Sequence, residues 1–336
     1  MQLHLHPVDL HLKHTFTISR ESRDVQPSLI VELKDGAFSG YGEATANTYY
    51  GVTIDKMMTR LAALRGKIEA YSLLSAEDFW QFMHADLKDM PFLQCALDMA
   101  AHDLIARKAA QPLYQYWGLK LENLPRSNYT IGIASVEEMV EKMKEQPWPI
   151  YKIKLGTAND LEIVRALRKY TDALFRVDAN CAWTAEQTIK LAPELKKLGV
   201  EFIEQPLPAE EWEAMEDVYQ HAVLPVVADE SCRIESDVKL CHQRFHAVNI
   251  KLTKCAGLTP ARRMIQEAKE LGMQVMVGCM TESSVGISAI AQLLPLLDYV
   301  DMDGALLLSN DPAEGVQLED GHALFPSRNG TGVVLK

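Results

Sequence analysis

The sequence predicts an α/β fold, a (β/α)8-type barrel preceded by a smaller α+β region, and three observations carry that prediction. The first 45 residues alternate apolar and polar positions and break at Asp-Gly and Ser-Gly pairs, the pattern of an antiparallel sheet. Residues 53 to 119 then adopt three-and-four apolar spacing, the period of a helix. From about residue 125 onward, short apolar runs recur, each followed by polar loop residues and a helical segment, and strands alternating with helices build parallel sheets by right-handed crossovers.

Taken in order, LHLHPVDLHL, PSLIVELKDG and AFSGYGEA are the three expected antiparallel strands. In 91-PFLQCALDMAAHDLIARKAAQ-111, Leu93, Leu97, Ala100, Leu104 and Ile105 share a helical face, and Pro112 stops the helix. The later runs are 128-NYTIG-132, 151-YKIKL-155, 174-LFRVDA-179, 201-EFIEQ-205, 225-PVVADE-230, 247-AVNIKL-252, 274-QVMVG-278 and 299-YVDMDG-304. Eight such units in about 180 residues close into a compact barrel. An open doubly wound sheet is the competing arrangement. It requires a Gly-rich phosphate turn after its first strand, and NYTIGIAS contains no G-x-G-x-x-G.

Composition narrows the function classes. The 336 residues, 48% of them hydrophobic, suffice for a large core and imply one large domain with a smaller one. With 34 basic and 46 acidic residues the net charge is −12, which repels phosphate backbones and anionic lipid, so neither nucleic acid nor membrane is an expected partner. The start MQLHLHPVDLHLKH has no basic region followed by an apolar run, and a cytoplasmic location is expected. Six cysteines without a C-x-x-C pair read as reduced thiols. His4, His6, His11 and His14 cluster near the start, but His4 and His6 alternate with Leu3 and Leu5, which favours a solvated strand face over a metal site.

Function in a barrel collects at the C-terminal ends of the strands, and the charges of this chain fall there. Lys152 and Lys154 lie on the second run, Asp178 closes the third, Glu204 the fourth, Asp229 the fifth, Lys251 the sixth, and Asp301 and Asp303 the eighth. From Lys154 to Lys251 the successive intervals are 24, 26, 25 and 22 residues, about one βα unit each. Asp178, Glu204 and Asp229 therefore enter the mouth from consecutive strands. Three crowded carboxylates need a cation among them, and an all-oxygen set favours Mg²⁺, with Mn²⁺ as a substitute. Lys154 and Lys251 flank that set from opposite sides of the ring, a placement suited to taking a proton from one face of a carbon and returning it on the other. Burial beside a divalent cation and other ammonium groups is expected to lower their pKa values. Lys152 shares a strand face with Lys154, where it would depress the pKa of Lys154 and steady an oxygen anion.

These motifs resemble the enolase superfamily in its muconate-lactonizing subgroup: 152-KIK-154, Asp178 in VDAN, Glu204 in IEQP, Asp229 in ADES and Lys251 in NIKL. The resemblance implies a TIM barrel with an N-terminal α+β capping domain, expected at residues 1–122 and 123–309, with 310–336 completing the cap. The pair 301-DMD-303 resembles the D-x-D with which dipeptide epimerases hold the α-ammonium of their substrate, and alternation points both acids the same way. The loop 278-GCMTESSVG-286 resembles the seventh-strand loop of the family. Thr130, Cys279 and Met280 are accordingly expected among the substrate contacts. The stretches 16-FTISRESR-23 and 43-EATANTYYG-51 resemble the region that sets specificity in Ala-Glu-type epimerases, where Arg20 or Arg23 would meet a substrate carboxylate, or Glu21 a cationic side chain. The implied activity is Mg²⁺-dependent, two-base epimerization of a small-molecule dipeptide, L-Ala-D/L-Glu by preference, with one metal ion per subunit. Lys154 would serve the L-configured and Lys251 the D-configured second residue. An o-succinylbenzoate synthase, N-acylamino acid racemase or cycloisomerase on the same scaffold is the alternative, a non-catalytic metal-binding barrel the remaining one. The sequence leaves open whether the subunit assembles into a homo-oligomer.

Overall fold

The alternation in the first 45 residues produces a three-stranded antiparallel sheet of β1 (Gln2–Thr17), β2 (Ser22–Asp35) and β3 (Phe38–Thr45), with β2 in the middle. The computed structural model describes residues 1–19 and 21–336; Arg20 lies outside the described residues. The Asp35-Gly36 pair makes the expected hairpin turn, with Gly36 at φ +61°. The Ser39-Gly40 pair does not turn, and the chain stays extended through it. The reason is a close approach of backbones rather than a bend. A Cβ at Gly40 would come within 2.2 Å of the Ala100 carbonyl oxygen, and one at Gly42 within 2.0 Å of the Ala96 carbonyl oxygen. Only glycine admits the helix that covers the sheet.

Helices α1 (Ile54–Glu69), α2 (Ala76–Leu87) and α3 (Pro91–Lys108) follow, then the single turn α4 (Leu113–Tyr116). Thr53 and Ser75 cap α1 and α2 by accepting from the backbone of Lys56 and Asp78. Helix α3 is buried on every side from Phe92 to Ala106, because one side meets the sheet and the other the barrel.

All eight later runs form strands: β4 (Tyr129–Ile131), β5 (Ile150–Lys154), β6 (Leu174–Asp178), β7 (Val200–Glu204), β8 (Val226–Ala228), β9 (Ala247–Lys251), β10 (Gln274–Gly278) and β11 (Tyr299–Asp301). They pair in parallel in sequence order from β4 to β11. Between them lie α5 (Val136–Glu145), α6 (Asp160–Arg168), α7 (Ala185–Lys197), α8 (Trp212–His221), α9 (Glu235–Cys241), the short α10 (Leu252–Cys255), α11 (Leu258–Glu270) and α12 (Ser284–Ala291). Amphipathic helices around an apolar strand ring give the main core, which runs from Tyr129 and Ile153 through Val177, Ile203 and Ile250 to Val300.

Two buried carboxylates from the N-terminal elements dock them onto barrel helices. Asp98 of α3 accepts from Thr259 N and Thr259 Oγ1, both at 2.8 Å, at the start of α11. Glu43 of β3 accepts from Ser283 N, Ser283 Oγ and Gly286 N at the start of α12. Each places a carboxylate on otherwise unpaired amides at a helix N-terminus. The C-terminal strands β12 (Ala313–Glu314), β13 (Gln317–Glu319), β14 (His322–Leu324) and β15 (Val334–Leu335) form two small hairpin-like pairs, and Ala313 and Val333 pack on Ile30 of β2 and Val285 of α12. Among the described residues, no helix is long and apolar enough to cross a membrane. All six cysteines are free thiols.

Candidate active site

Strand alternation and the regular βα repeat bring the predicted charges together at one end of the barrel. Asp178, Glu204 and Asp229 stand on or just beyond three neighbouring strands, with one carboxylate oxygen of each within 4.8 Å of the others, and all three are buried. Lys154 Nζ lies 2.6 Å from Asp178 Oδ2 on one flank, and Lys251 Nζ lies 2.8 Å from Asp229 Oδ2 on the other. The carrying strands, β5 and β9, are four apart in a ring of eight, so the two lysines face each other across the acids.

Lys152 occupies the centre. Its ammonium lies 2.7 Å from Glu204 Oε2, 3.2 Å from Asp178 Oδ2 and 2.8 Å from Asp301 Oδ2. Burial alone would lower Lys152 and Lys251, but the facing carboxylates outweigh it and raise both. The acids respond in kind. Against the effect of burial, Lys154 and Lys152 hold Asp178 low, and Lys251 and Lys254 hold Asp229 well below the usual carboxylate range. Glu204 is raised to about 7, chiefly by burial, against the opposing charge of Lys152 and with smaller contributions from Asp178 and Asp229.

Glu204 Oε2 makes no hydrogen bond despite its nearness to Lys152, and the buried Asn180 Oδ1 beside the cluster has none either, among the described residues. Unspent oxygen lone pairs next to three converging carboxylates fit a hard divalent cation, for which Asp178, Glu204 and Asp229 are the available ligands.

A second group of acids faces the same cavity of about 400 Å³. Asp301 and Asp303 lie with Cys279 in a buried cluster, and Thr130 and Met280 line the space beside them. The two aspartates differ sharply. Burial would raise Asp301, but Lys152 and a hydrogen bond from Asn128 hold it at about 2. Asp303 is raised to about 7 by burial and by the charge of Asp301, with Thr130 N donating to it at 2.5 Å. Asp301 takes one internal donor on each oxygen and Asp303 is held by Thr130, so both carboxylates keep acceptor capacity toward the cavity.

The outer wall comes from the N-terminal elements: Phe16, Ile18, Glu21, Arg23, Asn47, Thr48 and Tyr50. Arg23 and Glu21 both reach the cavity, but they pair with each other, and Arg23 also donates to Gln26. Thr48 Oγ1 holds the second oxygen of Glu21 at 3.1 Å. Among the described residues, Glu21 and Arg23 of the wall therefore form a compensated pair.

Sequence reasoning missed several contributors. Lys254 is buried with its ammonium 2.6 Å from Asp229 Oδ1 and 3.0 Å from Cys232 O. Asn249 Nδ2 donates to Glu204 Oε1 at 2.8 Å. Asn249 was within reach of the alternation argument, since it precedes Lys251 by two and shares its face. Lys254 gave no such signal, because the chain turns into α10 directly after Lys251.

Comparison with known proteins agrees with this geometry. Residues 134–336 match the enolase C-terminal domain-like family, and residues 3–118 match the mandelate racemase / muconate lactonizing enzyme N-terminal domain. The L-Ala-D/L-amino acid epimerase of Flavobacterium johnsoniae is 59% identical over 335 residues, the full length of both chains. The L-Ala-D/L-Glu epimerase of Bacteroides thetaiotaomicron is 37% identical, over 99% of this chain and 88% of its own. Among solved structures, the dipeptide epimerase of Cytophaga hutchinsonii, complexed with Mg and D-Ala-L-Val, superposes with a TM-score of 0.94 at 27% identity, covering 100% of this chain and 96% of that one. Two domain models in the right order, full-length relatives and the strand-end charges all agree, and the chain belongs to the enolase superfamily, in its mandelate racemase / muconate lactonizing enzyme group.

Proposed function

We propose that this protein is a magnesium-dependent epimerase of dipeptides that inverts the α-carbon of the C-terminal residue. The observation that carries the reading is that one cavity is lined at once by Lys154, Lys251, Asp229, Asp301 and Asp303. A dipeptide laid across it has its carboxylate toward the acids of β6 to β8, its α-ammonium toward Asp303 and Asp301, and the carbon to be inverted between the lysines. Asp178, Glu204 and Asp229 would hold magnesium, which when bound would supply positive charge for the substrate carboxylate. Lys154 removes the α-proton from one face and Lys251 returns a proton on the other, with the roles exchanged in the reverse direction. Lys152 places a fixed positive charge beside the oxygens where negative charge develops.

For the substrate we assign L-Ala dipeptides with a broad second residue, L-Ala-D/L-Glu among them. An acidic side chain at the outer wall must compete with Glu21 for Arg23, whereas an uncharged one meets Phe16, Ile18 and Leu307. This tempers the preference for glutamate that the arginines by themselves suggest. The test is a library of L-Ala-Xaa dipeptides incubated with the protein and Mg²⁺ in deuterated water. A gain of one mass unit at the second α-carbon across acidic and neutral members is the expected outcome. Exchange confined to Ala-Glu would overturn the broad assignment, and no exchange in any dipeptide would overturn the activity.

A further inference from the structure

The strand ladder of the barrel runs unbroken from β4 to β11 but does not close by a ladder between those two. One backbone bridge, Ser127 to Val300, spans the seam among the described residues. Three further ties across the seam use side chains. Met302 N donates to Ser127 Oγ at 3.0 Å, Asn128 Nδ2 donates to Asp301 Oδ1 at 2.8 Å, and Thr130 N donates to Asp303 Oδ2. The aspartates assigned to the substrate ammonium are thus also part of the barrel seam.

Arg176 reaches this seam from β6, across the barrel interior. It is 3% exposed, its guanidinium lies over the rings of Phe202 and Tyr299 at 5.3 Å from each centroid, and its Nε donates to Glu201 Oε2 at 2.8 Å. Its Nη1 donates to Val300 O at 3.0 Å and to Asn128 Oδ1 at 3.2 Å. A guanidinium can only donate, so the oxygen of the Asn128 amide must face it. The amide nitrogen is then left facing Asp301. Asp301 consequently receives one donor on each oxygen, Asn128 at Oδ1 and Lys152 at Oδ2.

We propose that Arg176 and Asn128 are positioning residues for the ammonium subsite: Arg176 fixes the amide of Asn128, and Asn128 fixes the carboxylate of Asp301 across the seam. The proposal rests on the assignment of Asp301 and Asp303 to the substrate ammonium. Neither Arg176 nor Asn128 touches the substrate. Their effect is to keep Asp301 oriented beside Asp303 in a seam that has little backbone pairing to do so.

The test compares free L-Ala-L-Glu with its N-acetylated form in wild type, Asn128→Leu, Arg176→Met and the double variant. Loss of a hydrogen bond to a charged group corresponds to roughly a 10- to 100-fold effect. The preference of Asn128→Leu for free over blocked dipeptide should shrink by about that factor, with the change in KM and much less in kcat. Arg176→Met should shift in the same direction, and the double variant should be no worse than Asn128→Leu, because residues acting in series are not additive. Asn128→Ser, which fits the same space without reaching Asp301, should show the same shift and provides a second route to a folded variant. A purely structural role predicts equal losses for both substrates and an unchanged preference, which would overturn the proposal, as would additive losses in the double variant. The two readings fail separately. Wild type that treats free and blocked dipeptides alike removes the ammonium assignment itself, whereas wild type that discriminates beside an Asn128→Leu variant that discriminates equally removes only the positioning role.

Discussion

Lys152 Nζ lies 2.8 Å from Asp301 Oδ2 while remaining within ion-pair distance of Glu204 and Asp178, so a single buried ammonium joins the metal acids to the ammonium subsite. A charge change at one end of the cavity is therefore felt at the other. Removing one partner of a buried ion pair is costly, about 3 to 5 kcal/mol, because the other charge is left uncompensated.

Chelation of divalent cations should abolish epimerization, and added Mg²⁺ should restore it, since the substrate dianion has no other counter-charge of that size. Asp178→Asn, Glu204→Gln and Asp229→Asn should each lower activity likewise and weaken Mg²⁺ binding measured by titration calorimetry. Full activity in a metal-free preparation would remove all three acids from the mechanism.

The lysines should be separable by stereochemistry. In Lys251→Ala, one diastereomer should still exchange its α-proton with solvent through Lys154 while the other does not, and Lys154→Ala should reverse that preference. Epimerization itself should fall by about 10²- to 10⁴-fold in either variant. Deuterium exchange followed by NMR reads both quantities, and equal exchange of both diastereomers in each variant would rule out the two-base scheme.

N-acetylation of the dipeptide removes the charge that Asp303 and Asp301 face. Stranding a buried charge typically costs about 2 to 5 kcal/mol, so kcat/KM for the blocked dipeptide should be roughly 30- to 4,000-fold lower. The Asp301→Asn, Asp303→Asn double variant should narrow that gap. N-acylated amino acids proving the better substrates would shift the assignment to a racemase of the same superfamily.

Asp98 makes domain docking sensitive to pH. Burial raises it from 3.8 to about 7, while His102, 3.8 Å away, is lowered by burial to about 3 and stays neutral across most of that interval. The native state therefore keeps a proton on Asp98 that the unfolded chain releases. The stability this contributes is complete below the unfolded value and is lost as pH rises through about 7. Relative to Asp98→Asn, wild type should lose stability between about pH 4 and 7, on the order of 1.4 kcal/mol per unit. Denaturant midpoints for the two proteins that run parallel across this range would contradict the raised value.

Much of the site is legible in the amino-acid sequence. Strand side chains alternate with period two and βα units repeat about every 24 residues, so Lys152, Lys154, Asp178, Glu204, Asp229, Lys251 and Asp301 had to arrive at one end of one ring. Glycine was harder to read. Gly40 looks like a turn in sequence and proves to be a contact, because its reason lies in a helix some 60 residues away. Charge pairing was hidden for a related cause: the burial of Lys251 follows from its place on a strand, while its pairing with Asp229 depends on where two separate strands end.

The sequence by itself determined the order of the elements, the barrel and the strand ends that carry charge, because those follow from periodicities within one stretch of chain. Only the tertiary structure decided which charges neutralise one another. That Glu21 turns to Arg23, that Lys254 buries its ammonium on Asp229, and that Arg176 grips Asn128 beneath Asp301 all depend on how separate elements meet. Hydrogen bonds and ion pairs act over about 3 Å, so their partners are settled by packing, for which local sequence patterns carry no period.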